Sequence, residues 1–147
     1  MELTGEYTIP APREDVWKAL NDPDVLEACI PGCDELEMVS PTEFNAKVTT
    51  KIGPVKAKFK GTVKLSDINA PESYRISGKG EGGIAGHAKG GADVRLAETE
   101  GGTVLTYVAN AQVGGKLAQI GSRLIKSTSR KLADKFFTSF SKTVGGG

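Results

Sequence analysis

The sequence predicts an α+β fold in which a curved antiparallel sheet of about seven strands wraps around a long C-terminal helix. Apolar residues recur with a period of two through the middle of the chain and with the helical period of 3.6 after residue 115. Two short helical patterns stand between the first strand and the rest. Helices kept apart from an antiparallel sheet are typical of the α+β class.

The N-terminal part predicts one strand and two short helices. A β-like run over residues 7–9 stops at Pro10, and the helix that follows carries an apolar stripe of Val16, Trp17 and Leu20. The second helix starts at the cap signal Asp22-Pro23. It ends before Pro31, because a residue that precedes a proline disfavours helical geometry.

The second helix ends in the stretch CIPGC, whose cysteines Cys29 and Cys33 stand four residues apart. A disulfide would close a very short loop in a reducing compartment, a metal site lacks further ligands, and a thiol nucleophile lacks a placed base. The stretch therefore predicts a helix end. Cys29 packs as a small hydrophobe, Pro31-Gly32 reverses the chain, and Cys33 leads into the next strand.

The middle of the chain predicts the remaining strands. Strict alternation before and after Gly53-Pro54 predicts a long hairpin with one wet face. The other predicted strands cover residues 34–40, about 72–82, 86–98 and 103–113. Glycines fall on the inward phase, where each either leaves room beside the strand or lets the sheet bend: Gly61, Gly78, Gly80, Gly82 and Gly90.

After Gly114-Gly115 about 28 residues predict one helix of roughly 42 Å. Its apolar stripe needs a large apolar partner, which only the sheet provides, and a sheet curved around a helix leaves a cavity between the two. The predicted ligand-binding residues face this space: Phe44, Phe59, Tyr74, Tyr107, Leu117, Ile120 and Leu124. They form either a packed core or an apolar pocket with a tyrosine hydroxyl as its polar group.

The net charge of +1 conceals an asymmetry along the chain. Residues 1–40 hold two basic and ten acidic residues, whereas residues 116–147 hold seven basic and one acidic residue. The basic segment is either a solvated helix face or a surface for an anionic membrane or an acidic protein. Its predicted membrane- or partner-binding residues are Arg123, Lys126, Arg130, Lys131 and Lys135.

No arrangement of residues predicts catalysis or metal binding. The glycines of GKGEGG match a dinucleotide motif only in spacing, because a strand follows them instead of a helix. His87 is the only histidine, and the lysine-rich strand lacks the interleaved aromatics that nucleic-acid binding requires. The chain has no signal-like start and no apolar run of about 20 residues, so a cytoplasmic location is expected.

Four stretches together closely resemble the CoxG family of carbon monoxide dehydrogenase subunits over about residues 2–143: GEYTIPAPREDVWKALNDPDVLEACIPGC, KIGPVKAKFKG, GGIAGHAKGGADVRL and QVGGKLAQIGSRLIK. The resemblance implies the START-like (SRPBCC) helix-grip fold, which encloses a hydrophobic cavity. It also implies an accessory protein, encoded with molybdenum-containing carbon monoxide dehydrogenases and related hydroxylases, that helps associate the enzyme with the cytoplasmic membrane.

The resulting hypothesis is a non-catalytic protein that binds a lipophilic ligand and serves a molybdenum hydroxylase at the inner face of the membrane. A quinone suits the need to pass electrons into a membrane pool, and no tightly bound cofactor is expected. The alternatives are a pure recruitment module and a cyclase- or hydrolase-like enzyme of the same superfamily. One domain is expected over residues 1–143, with 144–147 starting a linker to a missing membrane-directed tail.

Overall fold

The computed structural model describes residues 1–145. The elements in chain order are β1 (Glu2–Ile9), α1 (Arg13–Leu20), α2 (Pro23–Cys29), β2 (Cys33–Ser40), β3 (Glu43–Ile52), β4 (Val55–Asn69), β5 (Ser73–Glu81), a short 3-10 helix (Gly83–Ala85), β6 (His87–Thr99), β7 (Gly102–Gly114), α3 (Lys116–Gln119) and α4 (Ser122–Val144). The predicted seven strands, two N-terminal helices and long C-terminal helix are confirmed. The first strand is longer than its β-like run, because Glu2 to Glu6 also pair with β7.

The seven strands form one antiparallel sheet in the order β1-β7-β6-β5-β4-β3-β2. Each strand from β2 to β7 pairs with its sequence neighbour, and β1 closes onto β7. The predicted hairpin turn at Gly53 is confirmed, since Gly53 has a φ of +58°, which favours glycine. The α1 and α2 helices fill the connection between β1 and β2, the two outer strands of this order.

The main core lies where α1 and the C-terminal half of α4 meet the sheet. Ile9, Val16 and Phe140 are fully buried there, and Leu96 and Leu105 are nearly so. Thr103, also fully buried, donates a hydrogen bond of 2.8 Å to the Ala11 carbonyl and so joins β7 to the chain before α1. These contacts fix the α4 helix to one half of the concave face of the sheet.

The prediction of one unbroken 28-residue C-terminal helix is wrong. The chain forms the short α3 and then the 23-residue α4, with a break at Ile120 and Gly121. Gly121 has a φ of +94°, outside the helical region, so the helical hydrogen bonds cannot run through it. Its neighbours keep a helical apolar period, which hides the break in the sequence.

The interpretation of CIPGC as a helix end is confirmed. The α2 helix stops at Cys29, Ile30 takes an extended conformation, and Gly32 turns the chain with a φ of +75°. A side chain at Gly32 would overlap the Thr49 carbonyl of β3, so both the positive φ and the lack of space require glycine. Both cysteines are free, with Cys29 buried in the main core and Cys33 opening β2.

The α4 helix ends at Val144, one residue beyond the predicted domain, and Gly145 follows as a turn. The remainder of the predicted linker, residues 146–147, lies outside the described residues. The single domain over residues 1–143 and the linker role of residues 144–147 stay predictions.

Candidate functional site

A cavity of about 640 Å³ lies between the concave face of the sheet and α4. Its size falls within the 300–1,000 Å³ range of small-molecule sites. Side chains from β3 to β7 form its floor, the middle of α4 covers it, and Leu20, Leu26 and Ile30 close one side. The lining is predominantly apolar, so the cavity suits a lipophilic molecule rather than a sugar or a nucleotide.

The cavity exists because small residues face the helix where large ones would fill the space. Gly61, Ala46 and Ala92 line its floor, and Ala133 of α4 faces them. Strand pairing places Gly61 opposite Gly80, and Val63 opposite Gly78, which extends the row of small residues across β4 and β5. A Cβ at Gly61 or Gly80 would meet nothing closer than 3.5 Å, so these glycines leave open space. Of the predicted inward glycines, Gly61 lines the cavity and makes room in it.

The four aromatic residues expected at the ligand site all line the cavity: Phe44, Phe59, Tyr74 and Tyr107. Two of them rest against glycines. Phe59 lies over Gly82 and Tyr107 lies over Gly5, and a Cβ at either glycine would overlap the aromatic ring. The missing side chains thus let the rings lie flat against the neighbouring backbone. Whether these aromatic residues bind a ligand stays a prediction.

The three helical residues expected beside them do not line the cavity. Leu117 is buried in α3 against β7 and the 3-10 helix, while Ile120 and Leu124 face the β3–β4 turn at Gly53. Leu117 and Ile120 precede the break at Gly121 and so lie outside α4, whereas Leu124 lies in the first turn of α4, before the part that covers the cavity. The α4 residues that cover the cavity instead are Lys126, Ser129, Arg130, Ala133, Phe136 and Phe137.

The Tyr74 hydroxyl is a polar group in an otherwise apolar wall. The residue is 5% exposed, and no residue in the described chain accepts a hydrogen bond from its hydroxyl. Burial raises the pKa of Tyr74 well above its usual value, so the group is a neutral donor at physiological pH. The only tryptophan, Trp17, meets the Tyr74 ring edge-on with a centroid separation of 5.2 Å.

A second polar group lies where β1 and β7 meet α4. The Tyr7 hydroxyl donates a hydrogen bond of 2.7 Å to Asp134 Oδ1, and the Tyr7 and Tyr107 rings stack with centroids 6.4 Å apart. Burial raises the pKa of Tyr107, while the nearby Arg130 guanidinium opposes the rise. Both Tyr107 and Arg130 line the cavity. This wall therefore presents donors that suit a carbonyl or carboxylate oxygen of a ligand.

The five basic residues expected to meet a membrane or partner fall into two groups. Lys126 and Arg130 line the cavity one turn apart on α4 and are also exposed to solvent. Arg123, Lys131 and Lys135 are exposed. The long stems of lysine and arginine explain the first group, because they can cover an apolar wall while the charge reaches water.

Several lining residues were not predicted from the sequence. Leu26 and Ile30 come from the end of α2, and Phe136 and Phe137 come from the C-terminal half of α4. The signal that could have identified them is the small Ala133 within that stripe, which marks where the helix stands away from the sheet. Its neighbours Ser129 and Arg130 have no apolar signature at all.

Neither a metal centre nor a reactive thiol is visible in the described part of the chain. Among residues 1–145, no three His, Cys, Asp or Glu side chains are close enough to share a metal ion. Burial raises the pKa of Cys33, which keeps its thiol protonated. No helix within the same range combines the length and the hydropathy that crossing a bilayer requires.

Solved structures with similar folds include proteins of different kinds. A conserved protein from Geobacillus kaustophilus is 31% identical, covers 99% of this chain and 96% of its own, and has a TM-score of 0.93. A protein from Thermus thermophilus is 16% identical with a TM-score of 0.71, covering 98% and 97%. A point mutant of norcoclaurine synthase from Thalictrum has a TM-score of 0.64 at 16% identity, covering 98% and 93%.

The last two likenesses show the fold alone, a helix-grip fold in which a curved antiparallel sheet holds a long C-terminal helix. No curated protein sequence matches the chain. The family of the carbon monoxide dehydrogenase CoxG subunit matches residues 5–145, so both the β-sheet and the helices around the cavity lie within the match. The chain therefore belongs to the CoxG family.

Proposed function

We propose that this protein is a non-catalytic accessory protein of a molybdenum-containing carbon monoxide dehydrogenase or related hydroxylase. It binds a lipophilic molecule, with a quinone as the leading candidate, and couples or recruits the enzyme to the inner face of the cytoplasmic membrane. The observation that carries the proposal is the apolar cavity of about 640 Å³ with an unpartnered hydroxyl on the buried Tyr74, in a chain of the CoxG family.

The polarity of the cavity supports a ligand that is mostly apolar and has hydrogen-bond acceptors. The Tyr74 hydroxyl is a neutral donor inside the cavity, and Arg130 and Tyr107 supply donors at the α4 wall. A quinone has ring carbonyls for such donors and an isoprenoid tail for the apolar lining. A hydrogen bond from Tyr74 to a ligand carbonyl should contribute about 0.5–1.5 kcal/mol to binding, the net value of a typical hydrogen bond.

The ionisable groups of the cavity support a binding role over a catalytic one. They are Glu2, Lys126, Arg130 and the tyrosines 74 and 107, and burial keeps both phenols neutral at physiological pH. General acid–base chemistry uses groups whose pKa lies near the working pH. Norcoclaurine synthase shares the fold, and that likeness carries no activity to this chain.

The direct test is to identify what the cavity holds and what it takes up. Protein purified from its native host is extracted with denaturing solvent, and the extract is analysed by mass spectrometry. In parallel, a short-chain quinone is titrated while the fluorescence of Trp17, which contacts Tyr74, is recorded. A stoichiometric lipophilic compound and saturable quenching are expected, with weaker quenching in Tyr74→Phe. An empty cavity with no saturable quenching would contradict the binding role.

A pure recruitment module is the second candidate, favoured by the exposed basic residues Arg123, Lys131 and Lys135. In that case the cavity has no physiological occupant. Binding of the partner hydroxylase or of a membrane would then be salt-sensitive and would survive filling of the cavity by Gly61→Leu, at a glycine that lines the cavity and leaves room for a Cβ. Loss of recruitment in that variant would favour the ligand-binding function.

A further inference from the structure

The charges of the folded chain are separated along the direction of the strands. At one end lie the β3–β4 turn, the β5–β6 turn and the connection from β7 to α4. These three segments, residues 51–56, 82–86 and 114–124, are here named the basic end, because they hold four basic residues and no acidic one. The basic residues are Lys51, Lys56, Lys116 and Arg123, all exposed.

The opposite end has the reverse charge. The β4–β5 turn (residues 67–72) and the β6–β7 turn (residues 98–101) hold four acidic residues and no basic one. The α1 helix holds two acidic and two basic residues and so adds no net charge, and its Arg13 forms a salt bridge of 3.6 Å with Glu98 at this end. A protein with this separation aligns in an electric field, so an anionic surface attracts the basic end and repels the other.

The basic residues at this end are not neutralised by ion pairs. Within residues 1–145, no salt bridge involves Lys51, Lys56, Lys116 or Arg123. The nearest acidic residues along the strands are Glu2, Asp34 and Glu81, and all three lie outside the segments that form the basic end. All the charged side chains of these three segments are therefore positive.

The same end also exposes large apolar side chains. Ile84 is 86% exposed in the β5–β6 turn, and Leu124 is 41% exposed where α4 begins. Gly83 before Ile84 has a φ of +62° and no atom within 4 Å of the place where a Cβ would stand, so the turn projects freely. The segments touch one another, because Gly53 lies against Ile120 and Leu124, and α3 contacts the 3-10 helix that contains Ile84.

We propose that the basic end is the surface with which this protein docks on an anionic lipid bilayer, with Ile84 inserted among the acyl chains. This rests on the proposed function at the membrane and names its surface. Peripheral proteins bind anionic lipids by inserting an apolar side chain and by the attraction of nearby lysines and arginines to the headgroups. The projection of Ile84 from a narrow turn favours a fluid apolar phase over the flat face of a protein partner.

The docking surface also adjoins the cavity. Phe59 lines the cavity and lies over Gly82 at the start of the β5–β6 turn, and Lys126 of the cavity wall follows Leu124 by two residues. Docking at the basic end therefore brings the cavity wall close to the lipid from which a lipophilic ligand would come. The predicted basic set divides accordingly, because Arg123 belongs to the docking surface whereas Lys131 and Lys135 lie further along α4.

The test measures sedimentation of the 147-residue chain with vesicles of phosphatidylcholine alone and with added phosphatidylglycerol. We expect binding only to the anionic vesicles, with loss at high salt. Each removed charge should weaken binding roughly fivefold, so K51Q/K56Q should weaken it about 25-fold. Ile84→Asp should weaken it at least about tenfold.

Two matched controls locate the surface. Ile68→Asp changes another exposed isoleucine, 48% exposed within the β4–β5 turn at the opposite end, and K131Q/K135Q removes two charges from α4. Both should bind nearly as the parent chain does, and melting temperatures check that every variant folds. The proposal is overturned if K131Q/K135Q weakens binding while K51Q/K56Q does not, or if the parent chain ignores anionic vesicles, including the case in which it binds an acidic protein instead.

The quinone titration without vesicles separates the two proposals. Saturable quenching with no vesicle binding leaves the cavity function standing and removes the docking surface. If the variants bind vesicles in the expected pattern but no quenching is seen, the docking surface is supported and the proposal of quinone binding in the cavity is contradicted.

Discussion

The two halves of the space between sheet and helix are built from the same elements but filled differently. In the packed half, Ile9, Val16, Leu96 and Phe140 leave no room between α1, the end of α4 and the sheet. In the open half, small residues on β3, β4 and α4 stand opposite one another around the cavity. One half therefore holds the fold together, which leaves the other half free to stay open.

The largest expected difference comes from truncating the packed half. Phe140→Ala removes a fully buried ring that stacks on Phe136 at 5.5 Å, and it should lower the free energy of unfolding by about 3–5 kcal/mol. Phe59→Ala removes a ring that already borders the cavity and should cost less than half as much. Urea unfolding of both variants measures the difference, and equal losses would show that the halves do not differ.

The two cysteines sharpen the comparison, because they lie four residues apart in different surroundings. Cys29 is 3% exposed in the packed half, so Cys29→Ser should lower the free energy of unfolding by about 1–2 kcal/mol. Cys33→Ser at the start of β2 should stay within about 0.5 kcal/mol of the parent chain. Thermal melts provide the measurement. A larger effect at Cys33, or loss of a stoichiometric metal in the double variant, would contradict the structural role given to both.

Filling the open half should change binding more than stability. Gly61→Leu places a side chain in the cavity, and its Cβ would meet nothing closer than the Lys79 carbonyl at 3.5 Å. Binding of an apolar fluorescent dye should weaken about tenfold, while the free energy of unfolding changes by no more than about 1 kcal/mol. The control Lys60→Leu adds the same side chain on the outer face of the sheet. Equal dye binding by both variants would mean that the dye does not enter the cavity.

Tyr74 belongs to the packed core and also lines the cavity, and the pH dependence of stability tests its burial. Burial raises its pKa above the usual value of 10, so the unfolded chain loses this proton at a lower pH than the folded chain. Stability from this group is complete below about pH 10 and falls as the pH rises further. Tyr74→Phe should make the alkaline decline shallower, with little change at neutral pH. Denaturant midpoints between about pH 8 and 11 measure the slope.

Tyr7 is the comparison variant for that experiment. Burial and the hydrogen bond with Asp134 raise the pKa of Tyr7 as well, so Tyr7→Phe should also reduce the alkaline decline. It should differ at neutral pH, where loss of its 2.7 Å hydrogen bond costs about 1 kcal/mol. An unchanged alkaline slope in Tyr74→Phe would show that water reaches the Tyr74 hydroxyl and that burial does not raise its pKa.

The sheet, its hairpin turns and the aromatic lining could be predicted from the sequence, because each depends on local periodicity or on a single turn. Phe44 and Tyr74 fall on the inward phase of their strands by alternation alone, and pairing then brings them to one face. The break at Gly121 could not be predicted in the same way, since one glycine is also tolerated within a helix. That one position separates Leu117 and Ile120 from the helix that covers the cavity.

The polar part of the site was the hardest to predict from the sequence. The contact of Tyr7 with Asp134 joins residues 127 positions apart, and nothing local in either segment predicts it. Lys126 and Arg130 resemble the solvated side of a helix, because a charged residue that covers an apolar wall has the same spacing as one that faces water. Only the position of α4 over the sheet distinguishes these two cases.

The course of α4 also decides how the protein should be labelled or tethered. The helix of 23 residues runs about 35 Å from the basic end, and Gly145 then packs beside Pro10 at the opposite end. A fluorophore or affinity tag joined after the helix therefore stands well away from Ile84. Surfaces that capture the protein by such a tag would present its lysine-bearing turns outward, in the orientation that vesicles in solution can reach.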